Sequence, residues 1–355
     1  MLFLIYNLTM KALVYNSLFE NRIALIERDM PKIECSTDAI VKVTMSSICT
    51  SDLHIMHGQV PRAKNNLVLG HEFVGEVVAV GKDVKQIRKG DRVAANCITF
   101  CGQCYFCAHD YINNCVNGGW EIGCRIDGCQ AEYVRVPFAD MGLTRIPISV
   151  SNESALFVGD ILSSGYFAAE MCEIKKGDTV AVIGAGPVGL CAMMCAIHMG
   201  ATNIIAIDVN NERLKIAQEE GLATFVFNPN ELDIEGSIKN ITNNIGADCV
   251  IEAAGTKETF ELAWKIARPN AIIGIVAMYD RNMILPLPDM YGKNLTFKTG
   301  GVDAVHCKDL LNLIDEKKIS TDFLITHKFP LKEIETAYKL FQSKENNCLK
   351  IAIMH

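Results

Sequence analysis

Residues 179–197, TVAVIGAGPVGLCAMMCAI, restrict the fold more than any other stretch of this chain. They carry no charge and are long enough to cross a bilayer. Three glycines and a proline interrupt them, so a strand, a tight turn and a helix fit better than a membrane span. Gly184, Gly186 and Gly189, with Pro187 and Val188 between the last two, form G-x-G-x-x-G after an apolar strand and at the start of a helix. In that context the motif cradles a dinucleotide. Gly184 permits the turn, Gly186 lets a pyrophosphate approach the backbone, and Gly189 lets helix pack on strand. The helix N-terminus offers free N–H groups and positive dipole to the phosphates. Nineteen residues past Gly189, at the end of IIAID, stands Asp208. A carboxylate there accepts both ribose hydroxyls and repels a 2′-phosphate, so NAD is expected rather than NADP. Arg213, five residues on, is a cation that softens that repulsion.

Around this run the rhythm is strand, helix, strand, helix. TVAVIG, NIIAID, TFVF, DCVIEAAG and AIIGIVAM read as strands, with helices at 211–220 and 256–267 among those between them. The alternation predicts a doubly wound parallel sheet covered on both faces. Before it, AIVKVTMSSI, EFVGEVVAVG, DRVAANCI and AEYVRVP read as short strands between Gly, Asp and Pro punctuation. After it come helices at 304–317 and 331–343 and a last strand, CLKIAIM. The expected organisation is a β-rich domain from 10–160 and 300–355, with the doubly wound domain 161–299 inserted. Residues 1–9 read as an extension ahead of a first strand opened by Met10. The net charge of −7 argues against a nucleic-acid surface, which needs a basic footprint. Fifteen cysteines without a secretory signal point to a cytoplasmic chain using thiols and metal, not disulfides.

Five of those cysteines fall in CITFCGQCYFCAHDYINNC, residues 97–115. Cys101, Cys104, Cys107 and Cys115 make a C-x2-C-x2-C-x7-C frame. Four thiolates satisfy tetrahedral zinc and leave no open position. Such a site braces a loop, at about 10 kcal/mol of local folding. An iron–sulfur cluster and free thiols are the other readings of this spacing. Cys97 reads as a spare buried thiol.

A second group is scattered: Cys49, Ser51 and His54 in SSICTSDLH, Gly70, His71 and Glu72 in LGHEFVGEVVAVG, and Asp160 in FVGDILSSGY. Spacing alone does not unite them. The run Gly70-His71-Glu72 with Gly75, Gly81 and Val84, followed by KGDRV, resembles the signature of the zinc-dependent medium-chain dehydrogenases. The resemblance covers residues 10–355, and Asp160 makes it most similar to bacterial secondary-alcohol dehydrogenases. It implies an α/β chain with a GroES-like β-rich catalytic domain and an inserted Rossmann domain. It further implies a catalytic zinc on Cys49, His71 and Asp160, and a proton relay through Ser51 and His54. Glu72 is then a neighbour of the metal site or a transient ligand. Val276 joins the cofactor-binding residues, and Trp120, Ile161 and Met290 are expected to line the substrate pocket. Secondary-alcohol enzymes of thermophiles use NADP and lack the structural cysteines; here Asp208 and the four-cysteine frame point to NAD and two zincs per subunit. His57, His109, His198, His306 and His327 show no partner pattern and read as structural or solvated.

The function so implied is hydride transfer between a small alcohol, expected to be secondary, and NAD, giving ketone or aldehyde, in a homotetramer without nucleic-acid or membrane partners. A glutathione-independent formaldehyde dehydrogenase and a polyol or butanediol dehydrogenase are the alternatives within the class. A zinc- and nucleotide-binding redox sensor is the alternative outside it.

Overall fold

A computed structural model of the chain describes residues 8–343, 345 and 347–355. Residues 1–7 of the expected extension lie outside the described residues. The first strand, Thr9–Tyr15, begins one residue before Met10. The chain divides into two compact units: one runs to Ser163 and resumes at Asp303, the other is Ser164–Val302. Both joins fall three residues beyond the expected 160/161 and 299/300.

The first unit holds two sheets. In the smaller, Thr9–Tyr15 pairs antiparallel with Ile23–Asp29 and Leu67–Val68. The larger runs in the order Ile325–Pro330, Lys350–Met354, Ala39–Ser47, Phe73–Val80, Arg92–Ala95, Leu143–Arg145, with Tyr133–Val136 also paired to Ala39–Ser47. Val41, Val43, Phe73, Val77, Val93 and Val134 share one core, as β-branched and aromatic residues do on a pleated, covered face. The chain's last strand lies antiparallel to Ala39–Ser47 with Ala352 opposite Ser47. That register brings the C-terminal segment against the loop carrying Cys49.

The second unit is a six-stranded sheet, every pair parallel. Numbered along the chain from Thr179–Ile183, its strands stand in the order 3-2-1-4-5-6, the doubly wound dinucleotide arrangement. Val180 to Ile183 are all buried, as in a strand covered on both faces. The run that opened the sequence reading is that strand plus the helix Pro187–Met199, begun by proline and closed by Gly200. The sixth strand, Thr296–Thr299, was not expected. The helices expected at 211–220, 256–267, 304–317 and 331–343 are Asn211–Glu219, Lys257–Ile266, Cys307–Asp315 and Ile334–Ser343. No helix among the described residues is long and apolar enough to cross a membrane.

Candidate metal centre and nucleotide site

Cys49 is the residue before the short helix Thr50–Met56; His71 lies just before the strand Phe73–Val80; Asp160 immediately precedes the helix Ile161–Met171. The fold brings these three stretches together, and the donor atoms of Cys49, His71 and Asp160 all lie within 4.8 Å of one another. His71 Nε2 stands 3.3 Å from Asp160 Oδ2. Tetrahedral zinc with bonds near 2.0–2.1 Å to nitrogen and oxygen separates two such donors by about 3.3 Å. Asp160 Oδ2 is buried and has no hydrogen-bond partner among the described residues. The donor set and this orphaned oxygen fit a divalent cation.

The charges around the centre ask for one. With no cation considered, His71 is held well above its ordinary pKa. Burial pulls it down, but the Asp52 charge and the close approach of Asp160, Asp52 and Cys49 outweigh burial. Asp160 is held below its ordinary value: burial raises it, while the adjacent His71, Lys350 and Cys97 lower it further. Asp52 and Asp160 thus favour positive charge at this position.

Four residues that the sequence reading did not single out build the surroundings. Asp52, fully buried, sits 3.4 Å from His71 Nδ1 and accepts from the Cys49 N–H at 3.0 Å and from Gln130 Nε2 at 3.2 Å. Tyr338 in turn donates to Gln130 Oε1 at 2.6 Å. Lys350, also buried, pairs with Glu72 Oε2 and donates to the Ile48 carbonyl at 2.9 Å. Burial pushes Glu72 up to about 7 although Lys350 pulls it down. Lys350 is raised above its usual range, since the Glu72, Cys49 and Asp160 charges outweigh its burial. The one local signal was for Asp52, an acid three residues after Cys49 at a helix start. Lys350 and Tyr338 are distant in sequence and carried none.

The other predicted residues fall as follows. Ser51 Oγ lies 3.7 Å from Cys49 Sγ. His54 Nδ1 is hydrogen-bonded to Gln59 Oε1 at 2.6 Å, and among the described residues no hydrogen bond joins Ser51 to His54. Trp120 meets His71 edge to face, ring centres 5.4 Å apart. Ile161 is buried beside Asp160. Met290 lies buried in the core of the second unit with Phe260 and Trp264. Cys97 is buried as expected, but it lies against Asp160 rather than apart from the chemistry; burial, then the Asp160 charge, pushes its thiol up.

The four-cysteine lobe is assembled as well. Sulfur–sulfur separations are 4.0 Å for Cys101–Cys107, 3.5 Å for Cys104–Cys107, 4.0 Å for Cys104–Cys115 and 3.6 Å for Cys101–Cys115. Zinc–sulfur bonds near 2.3 Å give a tetrahedron with edges of about 3.8 Å, and a disulfide would need about 2.05 Å. The backbone N–H groups of Cys101 and Asn117 donate to Cys115 Sγ at 3.3 and 3.4 Å. Backbone donors, first that of Cys107, lower Cys104 to about 6, whereas burial and the neighbouring thiols push Cys107 up to about 12. These separations fit four sulfurs arranged around one tetrahedral cation.

In the second unit Gly184 takes φ +100°, and a Cβ on Gly189 would lie 1.8 Å from the Gly184 carbonyl oxygen, so neither position accepts a side chain. Gly186 is the residue before the helix that starts with Pro187 and Val188. Asp208 follows the strand Asn203–Ile207 and accepts from the N–H groups of Ala185 at 2.7 Å and Asn210 at 2.8 Å. Arg213 Nη1 is 3.9 Å from Asp208 Oδ2. The Val276 N–H donates to the Glu252 carbonyl at 3.0 Å.

The alcohol dehydrogenase GroES-like domain model matches residues 36–148, and the zinc-binding dehydrogenase model matches residues 187–314. The chain belongs to the zinc-dependent medium-chain dehydrogenase family. An alcohol dehydrogenase of Cupriavidus necator is 36% identical, across 97% of this chain and 98% of its own. An NADP-dependent isopropanol dehydrogenase of Thermoanaerobacter brockii is 32% identical, across 94% and 97%. Among solved structures, an alcohol dehydrogenase from Thermus sp. ATN1 superimposes with a TM-score of 0.91 at 35% identity, across 97% of this chain and 99% of that one. Family membership and the GroES-like and Rossmann-type architecture therefore agree with the sequence reading.

Proposed function

We propose that the protein is a zinc-dependent oxidoreductase that moves a hydride between a small secondary alcohol and NAD, forming the ketone, or the aldehyde from a primary alcohol. The observation that supports this is the convergence of Cys49, His71 and Asp160, from three separate stretches, within 4.8 Å. These residues would hold the catalytic zinc, and Cys101, Cys104, Cys107 and Cys115 a second, structural one. A thiolate and a carboxylate would balance the charge of a divalent ion, and three protein donors would leave room for a substrate oxygen. Zinc, when bound there, supplies Lewis-acid polarisation that lowers the pKa of a hydroxyl, as it takes water from about 15.7 to about 7.

The chain's own side chains do the rest. Asp52 Oδ1, 3.4 Å from His71 Nδ1, would orient the ring and leave Nε2 for the metal. Ser51 Oγ would accept the alcohol proton while releasing its own, and His54, once free of Gln59, would deliver a proton to water at the outer end of that relay. Glu72, tied to Lys350, acts on the centre through its charge rather than as a ligand. A nicotinamide cofactor, held by the glycine turn and Asp208 of the second unit, would supply the hydride acceptor.

NAD is proposed because Asp208 stands at the end of the second strand, where a 2′-phosphate would be repelled. The T. brockii relative is named for NADP dependence, so the NAD reading is this chain's own. The same proposal includes a cytoplasmic homotetramer, which light scattering checks. Metal analysis together with NADH absorbance, on a panel of 2-propanol, 2,3-butanediol, sorbitol, threonine and formaldehyde, tests the function. Turnover should be fastest on 2-propanol or 2,3-butanediol. Zinc present without turnover of any alcohol would sink the enzyme reading and favour a redox sensor.

A further inference from the structure

In a 3-2-1-4-5-6 sheet the strand order reverses between the first and fourth strands, which remain parallel, and the dinucleotide crosses the carboxyl ends of the strands at that point. Here those strands are Thr179–Ile183, which leads into the glycine turn, and Ala247–Glu252. Glu252 is thus the last residue of the strand that faces the glycine turn across the crevice. The Gly184 position confirms the proximity: a Cβ there would lie 3.1 Å from Ala253.

Glu252 is a fully buried carboxylate, and its oxygens are well supplied. Oε1 accepts from the N–H groups of Ala254 at 3.0 Å and Gly255 at 2.8 Å. Oε2 accepts from the Tyr279 hydroxyl at 2.6 Å. Its main-chain carbonyl accepts from Val276 at 3.0 Å and Ala277 at 3.3 Å. One residue therefore ties together the two loops that leave the fourth strand and the fifth, Ala267–Ile275, at 253–255 and 276–279. The ring of Tyr279 packs against Phe260, centroids 6.3 Å apart. Burial, then Glu252, raises the Tyr279 pKa, so its hydroxyl stays a donor.

Sheets of this kind are built from two mononucleotide-binding halves. Asp208 marks the half that takes the adenosine ribose. The fourth and fifth strands belong to the other half, which takes the nicotinamide mononucleotide. We infer that Glu252 and Tyr279 are positioning residues for the nicotinamide half of the cofactor. They fix the backbone of 253–255 and 276–279 before the cofactor arrives, so that little loop ordering is left to offset binding. The pair touches neither metal cluster, and this role rests on the dinucleotide reading above.

Tyr279→Phe removes only the hydroxyl and keeps the ring against Phe260, so the variant should fold. NADH and ADP-ribose are then titrated separately, NADH by its fluorescence and ADP-ribose by calorimetry, with thermal unfolding measured alongside. The expected result is NADH bound roughly tenfold more weakly, the size of a lost hydrogen bond to a charged group, with ADP-ribose affinity unchanged. Glu252→Gln, which loses the charge but keeps one acceptor, should show the same split in smaller measure. Equal weakening of both ligands, or no weakening of either, would overturn the inference. If the unmodified protein binds neither ligand, the dinucleotide reading itself fails, and the two failures are told apart.

Discussion

The four-thiol lobe and the Cys49–His71–Asp160 centre both gather metal-type donors within the same unit, yet they are built in opposite ways. The lobe draws all its donors from one segment, Cys101 to Cys115, and Cys101 and Cys104 keep some exposure. Its short N–H···S contacts and near-tetrahedral sulfur spacing come from local turns. As a proposed zinc site, such a lobe would need only its own loop and the ion, and four sulfurs would complete it. The other centre draws donors from Cys49, His71 and Asp160, so the sheet must exist before the donors meet. Its supports, Asp52, Glu72 and Lys350, are buried. The difference teaches that a closed site needs only local chain, whereas an open one needs a finished fold to keep its donors in place without a fourth protein ligand.

The sharpest way to break that comparison is to remove one donor from each. Cys104→Ser should strip the lobe of its ion, with local stability falling by on the order of 10 kcal/mol. Zinc should fall from two to one per chain, while turnover per folded molecule changes less than tenfold. A variant that unfolds at the unmodified temperature would show that the lobe needs no metal. Asp160→Ala should do the reverse. Zinc again falls to one per chain, kcat/KM drops roughly 10⁴-fold, about 5 kcal/mol, and circular dichroism is unchanged. Full turnover retained by Asp160→Ala would remove Asp160 from the centre and leave the comparison without its open member.

Lys350→Met sharpens the comparison further. It strands the buried Glu72 carboxylate, and breaking a buried pair from one side costs about 3–5 kcal/mol. The denaturation midpoint should fall accordingly, while the zinc of the lobe stays bound. Loss of the lobe zinc instead would mean that the two centres share their support.

These contrasts also explain what the sequence could reveal. The lobe was legible because C-x2-C-x2-C-x7-C states the whole site in one line. The glycine turn was legible because Gly184 and Gly189 have no alternative: a positive φ and a carbonyl contact exclude a side chain. The open centre was legible only through a family resemblance, since nothing in the spacing of Cys49, His71 and Asp160 brings them together. Lys350 stayed hidden because its meaning depends on strand register: Ala352 opposite Ser47 delivers it to Ile48 and Glu72. The strand Thr296–Thr299 was missed because it is four residues long and only partly buried, too short for a period to show. Cys97 read as a spare thiol because its neighbour Asp160 is set by the fold, not by the adjacent sequence.

The smallest expected effect lies in the second unit and serves as the control for both centres. Asp208 has two tasks that a single substitution separates. Its charge opposes a 2′-phosphate, and its oxygens accept from Ala185 at 2.7 Å and Asn210 at 2.8 Å. Asp208→Asn keeps an acceptor for one of those N–H groups and removes the charge, while Arg213 remains 3.9 Å away to meet a phosphate. Its NADP-to-NAD preference should rise roughly tenfold, about 1.4 kcal/mol, with overall affinity little changed. Asp208→Gly should shift the preference by the same factor but weaken both cofactors, because the glycine turn loses its carboxylate. Zinc should stay at two per chain in both variants. An unchanged preference in Asp208→Asn would place cofactor choice with Arg213 or elsewhere, and a changed zinc count would couple the nucleotide unit to the centres of the first unit.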